Sequence, residues 1–246
     1  MFSIDINCDM GEGIGNDEQL MPFISSASIA CGYHAGDEQT MQQTVDLCLK
    51  YNVAIGAHPS FPDKENFGRT EMNFSPEEIY KLVTAQVNNL SKMVKAKGAA
   101  LHHIKPHGAL YNMAAGDISL ATVIAKAVKD IDPSLILYGL AGSYSITEAK
   151  KAGLKTGSEV FADRTYQDNG SLTPRKQPHA MIEDGNQSIS QVLQMIKDKT
   201  VNALSGKTIS IRAETICIHG DGQHAVEFAK AIHHRLKIEG IDIKAI

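Results

Sequence analysis

Residue types suited to acid–base or metal chemistry recur at the ends of apolar runs. Residues 4–8 run into Asp9, 29–33 into His34, 53–57 into His58, 103–106 into His107, and 216–218 into His219 and Asp221. Carboxylates and imidazoles so placed can take or give a proton, and divalent ions accept the same oxygen and nitrogen donors. His103 and His107 have the His-x-x-x-His spacing of a helical metal site, but Pro106 lies between them and interrupts a helix. A metal site would therefore have to be assembled from different runs, drawing on Asp9, His34, His58, His107 and Asp221. For any one of these histidines a structural role is the better expectation. Five coincident endings reverse that.

Other residues could serve the same chemistry. Lys105 shares a strand face with His103 and His107, and an inward ammonium is costly unless it meets an anion. A structural ion pair with Asp9 or Asp221 is an equal alternative. Glu12 opens a Gly-rich stretch, Glu12-Gly13-Ile14-Gly15, which alone reads more readily as a turn than as a phosphate cradle. Arg69, Arg164, Tyr166 and Arg175 lie on polar loops, as clamps for a carboxylate or phosphate or as solvated loop residues. Ser205-Gly206-Lys207-Thr208 imitates half a Walker A motif, but Val201 stands where its first Gly belongs and no helix pattern follows.

Positioning such residues requires strands. Side chains alternate with period two along a strand. Asp5, Asn7 and Asp9 thus share one face, opposite Ile4, Ile6 and Cys8. The same sorting aligns Ala30, Gly32 and His34, then Ala54, Gly56 and His58, then Cys217, His219 and Asp221. Small residues below two of the histidines predict open volume above a thin floor.

Helix patterns separate the strands. Asp37 caps a segment with Met41, Val45 and Cys48 on one face, and Ser75-Pro76-Glu77-Glu78 is a start signal for a long helix stopped at Gly98. Further helices are expected after Asp117, over 143–152, around 189–196 and around 226–236, with strands near 135–138, within 154–162 and at 215–218. A long polar loop is expected over 163–185, and the tail at 241–246 offers an eighth short strand. This alternation predicts one domain over residues 1–246, a distorted parallel β/α barrel of seven or eight strands, whose active site would lie at the C-terminal strand ends.

Bulk composition agrees with an enzyme of that size. The 246 residues are 43% hydrophobic and 21% charged, with a net charge of −4 and no basic stripe, which argues against nucleic acid and anionic membrane partners. No apolar stretch approaches the ~18 residues of a membrane span, and the chain opens on a strand pattern rather than a signal peptide. The cysteines at 8, 31, 48 and 217 form no Cys-x-x-Cys, and three lie in expected strands as small buried hydrophobes. A reducing cytoplasmic location is expected.

Four long strings resemble the signatures of the LamB/YcsF family, the A subunits of 5-oxoprolinase. They are Asp5-Ile6-Asn7-Cys8-Asp9-Met10-Gly11-Glu12, Ile29-Ala30-Cys31-Gly32-Tyr33-His34-Ala35-Gly36-Asp37, Gly56-Ala57-His58-Pro59-Ser60-Phe61-Pro62-Asp63 and Lys105-Pro106-His107-Gly108-Ala109-Leu110-Tyr111-Asn112. Phe161-Ala162-Asp163-Arg164 and Ile218-His219-Gly220-Asp221 fit the same pattern. Ser28, Glu38-Gln39 and 66–70 depart from it, which bears chiefly on the loop around Arg69.

The resemblance implies a seven-stranded barrel related to glycoside hydrolases and carbohydrate deacetylases. It implies opening of the lactam of 5-oxo-L-proline to L-glutamate with ATP, Mg²⁺ as the nucleotide's counter-ion, in a complex with subunits B and C. On that reading Asp9 or Glu12 acts as base, Lys105 stabilises charge, and His34 and His107 move protons. Asn7, Arg69 and Arg164 hold substrate, with His58, Tyr166, His219 and Asp221 beside them. Whether the protein binds a metal of its own is left open. The alternatives are a metal-dependent deacetylase and a non-catalytic substrate-binding subunit.

Overall fold

The computed structural model describes residues 2–218 and 225–246. Its strands are β1 (Ser3–Met10), β2 (Ser26–Ala30), β3 (Ala54–His58), β4 (His103–Ile104), β5 (Ile136–Leu140), β6 (Lys155–Phe161), β7 (Thr200–Asn202), β8 (Thr208–Ser210), β9 (Thr215–Ile218) and β10 (Asp242–Ile243). The helices are α1 (Asp17–Leu20), α2 (Glu38–Tyr51), α3 (Pro76–Ala96), α4 (Gly108–Gly116), α5 (Ile118–Ile131), α6 (Tyr144–Lys151), α7 (Gly185–Lys197) and α8 (Ala225–Ile238). Strands β1 to β6 and β9 pair in parallel, and the β1–β9 pairing closes them into a seven-stranded barrel. The expected eighth strand, β10, pairs with Ser3 and Ile4, ahead of the Asp5–Cys8 stretch of β1 that meets β9. It is an addition beside the barrel, not a stave of it. No helix among the described residues is long and apolar enough to cross a membrane.

Helix starts follow local chemistry. Ser75 and Glu78 exchange hydrogen bonds in a capping box at the start of α3, and Asp37 accepts the Thr40 N–H at 2.8 Å at the start of α2. Each helix buries one stripe; in α3 it comprises Ile79, Leu82, Val83, Leu90 and Val94. These meet the outward faces of the strands, where Ile6, Ile29, Ile55, Ile104, Val160 and Ile216 are fully or nearly fully buried. Burial of each such side chain contributes about 1.5–3 kcal/mol.

The inward faces are polar. Asp5 sits at the bottom and accepts from four hydroxyls: Ser25 at 2.6 Å, Thr215 at 2.6 Å, Ser26 at 2.7 Å and Tyr138 at 3.0 Å. Burial still raises its pKa above the usual carboxylate range, against the opposing pull of those donors. One level higher, the His103 ring stacks on Tyr138 with centroids 4.2 Å apart, and its Nε2 lies 3.1 Å from Ser28 Oγ.

Several expectations change here. The second apolar run ends its strand at Ala30, so Ser26 and Ser28 are its inward polar residues, and His34 is carried on the following loop. Gly56 does not open volume above a thin floor. It makes room for His103, since a Cβ at Gly56 would lie 2.1 Å from His103 Nε2. Helix α4 begins directly after His107, where only a strand end was expected. The Walker-like Ser205–Thr208 segment belongs to the β7–β8 hairpin, a sheet of its own.

Two stability predictions follow from this packed polar floor. Gly56→Ala should cost about 1–3 kcal/mol through overpacking against His103, read as a lower urea midpoint; an unchanged midpoint would mean the ring yields freely. Burial, chiefly, holds the His103 pKa well below 6.5, with His102 and Lys105 adding to the effect. The unfolded imidazole therefore takes a proton that the native one refuses, and stability present above pH ~6.5 falls as pH drops below it. His103→Gln should flatten this acid slope by up to ~1.4 kcal/mol per pH unit in denaturant titrations between pH 7.5 and 5.

Candidate active site

The top of the barrel gathers residues from β1, β3 and β6 and from the segments after β1, β2, β3 and β4. Lys105 Nζ lies 2.5 Å from Asp9 Oδ1, 2.8 Å from Asn7 Oδ1, 3.0 Å from Glu159 Oε1 and 3.4 Å from Cys217 Sγ. The side chain is 3% exposed, so this is a buried ion pair with two carboxylates. Burial alone would lower the Lys105 pKa, but Asp9, Cys217 and Glu159 hold it well above the usual ammonium value. With four acceptors for three N–H donors, Lys105 has none to spare for a ligand. Its part in the site is a fixed positive charge that orients Asp9.

Above Lys105 lies a cluster of three imidazoles and Glu12. His58 Nδ1 is 2.6 Å from the Lys105 carbonyl and its Nε2 is 3.3 Å from Asp9 Oδ2. His107 Nε2 is 2.9 Å from the Phe67 carbonyl and its Nδ1 is 2.8 Å from His58 Nε2. His34 stacks on His107, with centroids 3.8 Å apart and planes 6° apart, and its Nε2 is 3.1 Å from Glu12 Oε1. Burial pushes the His34 pKa down to about 3 and holds His107 well below its ordinary value, so both rings are neutral near pH 7. One donor atom from each of Glu12, His34, His58 and His107 lies within 4.8 Å of the others, a grouping able to hold a metal ion.

Local backbone makes this convergence possible. Gly68 has φ +67°, and a Cβ there would fall 2.3 Å from Ser60 Oγ and 2.9 Å from both His107 Cδ2 and His34 Cβ. Without a side chain, the 62–70 loop can press Phe67 against both rings, 5.4 Å from His107 and 5.5 Å from His34.

A cavity of about 900 Å³ opens over the cluster, lined by Asp9, Glu12, His58, His107, Glu159 and residues of the 169–176 loop. Its rim is basic. Arg69 lies over the Phe67 ring at 4.9 Å, and Arg175 and Lys176 come from the long polar loop. Arg164 donates to the carbonyls of Thr173 at 2.6 Å and Ala180 at 3.3 Å, and burial and the nearby Arg175 lower its pKa to about 10. It pins the 163–185 loop while also lining the cavity.

Asp9, Glu12, His34, His58, Lys105 and His107 thus come together, with Arg69 and Arg164 at the cavity wall. Two residues expected beside the substrate, Tyr166 and Asn7, do not line the cavity. Tyr166 is fully buried and its hydroxyl accepts the Phe161 N–H at 2.8 Å, so it braces the loop. Asn7 lies beneath Lys105, donates to Glu159 at 3.0 Å and Thr215 at 2.7 Å, and accepts from Lys105 at 2.8 Å. His219 and Asp221 lie outside the described residues.

Sequence reasoning overlooked Glu159 and Tyr111. Glu159 follows Gly157 and precedes Phe161 at period two on β6, and sorting that strand as the others were sorted would have found it. Tyr111 sits one turn into the unexpected α4, and burial together with the Glu159 charge raises its pKa well above the ordinary phenol value.

The comparisons with known proteins extend over the full chain. The LamB/YcsF family model matches residues 4–246. The 5-oxoprolinase A subunit of Geobacillus thermodenitrificans is 53% identical over 250 residues, covering 100% of this chain and 98% of the relative. The crystal structure of a lactam utilization protein from Thermus thermophilus is similar at a TM-score of 0.93 and 42% identity, covering 100% of both chains. A family 4 carbohydrate esterase from Streptomyces lividans, 11% identical with a TM-score of 0.54, covers 100% of this chain and 93% of its own, and it shares the barrel fold alone. On its whole-length match and its identity to such relatives, the chain belongs to the LamB/YcsF family.

Proposed function

We propose that this chain is the A subunit of an ATP-dependent 5-oxoprolinase and houses the water-addition half of lactam opening. The observation that carries the reading is the Asp9–Lys105–Glu159 ion cluster at the floor of a large basic-rimmed cavity, in a chain 53% identical to a 5-oxoprolinase A subunit. Amide resonance makes a lactam carbonyl a poor electrophile. Phosphoryl transfer from ATP to the carbonyl oxygen makes C5 electrophilic. Water adds there as a base removes its proton. The ring nitrogen then departs with a proton from an acid, leaving an acyl phosphate, and a second water releases phosphate and glutamate.

This chain supplies groups for those steps. Asp9 is the base: its Oδ1 is held by Lys105, and its Oδ2 stands beside His58 at the cavity floor. The neutral His34, beside Glu12, offers a route for the proton needed by the departing nitrogen. The Arg69 and Arg175 side of the mouth suits the substrate carboxylate, and the cavity exceeds what a single lactam fills, which leaves space for a phosphoryl group. No complete P-loop occurs in the sequence, which is compatible with a nucleotide site shared with, or located on, partner subunits B and C. Four free, buried cysteines suit a reducing, cytoplasmic setting.

The test is glutamate formation from 5-oxoproline and ATP by the chain reconstituted with subunits B and C. Asp9→Asn should lower kcat at least ~100-fold, the scale of a lost general base, with the chain still folded; full turnover would refute the assignment. Lys105→Met alone leaves two buried carboxylates without their cation and should cost about 3–5 kcal/mol of stability. Pairing it with Glu159→Gln should recover much of that stability without recovering turnover. Arg69→Gln should raise KM for 5-oxoproline about tenfold, the worth of a charge-assisted hydrogen bond, with a smaller change in kcat. An unaltered KM would remove Arg69 from substrate binding.

A further inference from the structure

We propose that Glu12, His58 and His107 bind one divalent transition-metal ion, of the zinc, cobalt or nickel kind, with His34 stacked on His107 as the wall of the site. The inference goes beyond lactam opening and stands whether or not that reading holds. It begins with the two backbone carbonyls that fix the ring protons. His58 Nδ1 faces the Lys105 carbonyl at 2.6 Å and must be the protonated nitrogen of a neutral ring; His107 Nε2 faces the Phe67 carbonyl at 2.9 Å and must likewise be protonated. The remaining nitrogens, His58 Nε2 and His107 Nδ1, then point lone pair to lone pair at 2.8 Å. Two acceptors do not hold that separation in a buried site unless a positive charge lies between or beside them.

The backbone contacts are also those that metal-bound imidazoles use. A ligating histidine donates its other ring N–H to a carbonyl or carboxylate, which sets the tautomer and aims the lone pair at the ion. Here two rings are so aimed before any ligand arrives. Glu12 Oε1 stands 3.1 Å from His34 Nε2 and 3.6 Å from His107 Nδ1, bringing an anionic oxygen to the same point. Two imidazole nitrogens and one carboxylate favour zinc-like ions over magnesium or calcium, which prefer all-oxygen sets. At Zn–N distances near 2.0 Å two tetrahedral ligands stand about 3.3 Å apart, so His58 and His107 would separate by a few tenths of an ångström on binding. Asp9 Oδ2, 3.3 Å from His58 Nε2 but tied to Lys105 through its other oxygen, lies beside the site as a proton acceptor and not as a ligand.

A proton shared between His58 and His107 would also relieve the lone-pair contact, and the experiment separates the two. The full chain is stripped with chelator, dialysed, and titrated with Zn²⁺ alone by calorimetry near pH 7.5, with metal content measured after gel filtration. One tightly held Zn²⁺ per chain is expected, weakened at least 100-fold in His58→Ala and in His107→Ala. Binding should be unchanged in His102→Gln, which alters a ring bonded to the Ile246 carbonyl, outside the cluster. Circular dichroism verifies that the metal-free variants are folded. Co²⁺ bound to the unmutated chain should show the intense visible bands of a low-coordinate nitrogen-ligated site, a readout independent of any variant. The proposal is overturned if the unmutated chain takes up no stoichiometric Zn²⁺, if binding survives both His replacements, or if bound Co²⁺ keeps its aqueous spectrum. Glutamate formation by the reconstituted complex is scored separately and decides only the lactam reading.

Discussion

The ammonium of Lys105, buried between Asp9 and Glu159, is the constraint around which the upper barrel is arranged. An isolated charge at that depth would be neutralised or expelled, because desolvation costs several kcal/mol per ion. It persists because three strands deliver partners to one point: Asn7 and Asp9 from β1, Glu159 from β6 and Cys217 from β9. Removing one partner leaves the others wrongly charged or unpaired. The cluster is therefore demanding as a stability element, and its use lies in holding a cation against Asp9 and fixing its direction.

That constraint extends downward. An ordinary parallel barrel fills its interior with branched aliphatic side chains. This one places Asp5, Asn7, Ser26, Ser28, His103, Glu159 and Thr215 inside and keeps most of the aliphatic side chains between strands and helices. A polar interior is tolerable only when satisfied, and here hydroxyls from β2, β9, Tyr138 and the residue before β2 converge on Asp5. Hydrophobic burial outside holds the barrel closed, and hydrogen bonding inside sets its register. The interior network reaches the site through Asn7, which binds Thr215 below and Lys105 above.

The mouth depends on loops rather than strands. His34, Phe67, Gly68 and His107 meet because the 31–37 and 62–70 loops and the start of α4 approach within van der Waals distance, with a left-handed glycine at the tightest point. The 163–185 loop is held in place by Arg164 and Tyr166, both bonded to backbone atoms. Residues that look like ligand clamps on a polar loop can thus be the groups that give the loop its shape.

The amino-acid sequence by itself determined the alternation of strands and helices, the barrel class, the division of β1 and β3 into polar inward and apolar outward faces, and the set Asp9, Glu12, His34, His58, Lys105 and His107. Period-two and capping rules are local, and residues within a few positions of one another settle them. Only the tertiary structure decided which groups face each other: Glu159 against Lys105, Ser28 against His103 in the space over Gly56, and His58 against His107 with their other ring nitrogens facing carbonyls. It also placed Asn7 and Tyr166 outside the cavity lining and gave their polar atoms protein partners. These pairings join residues as far apart as Asn7 and Thr215, 208 positions along the chain. No spacing rule reaches that far, because strand order, loop path and the closing of the barrel determine the distance between such groups.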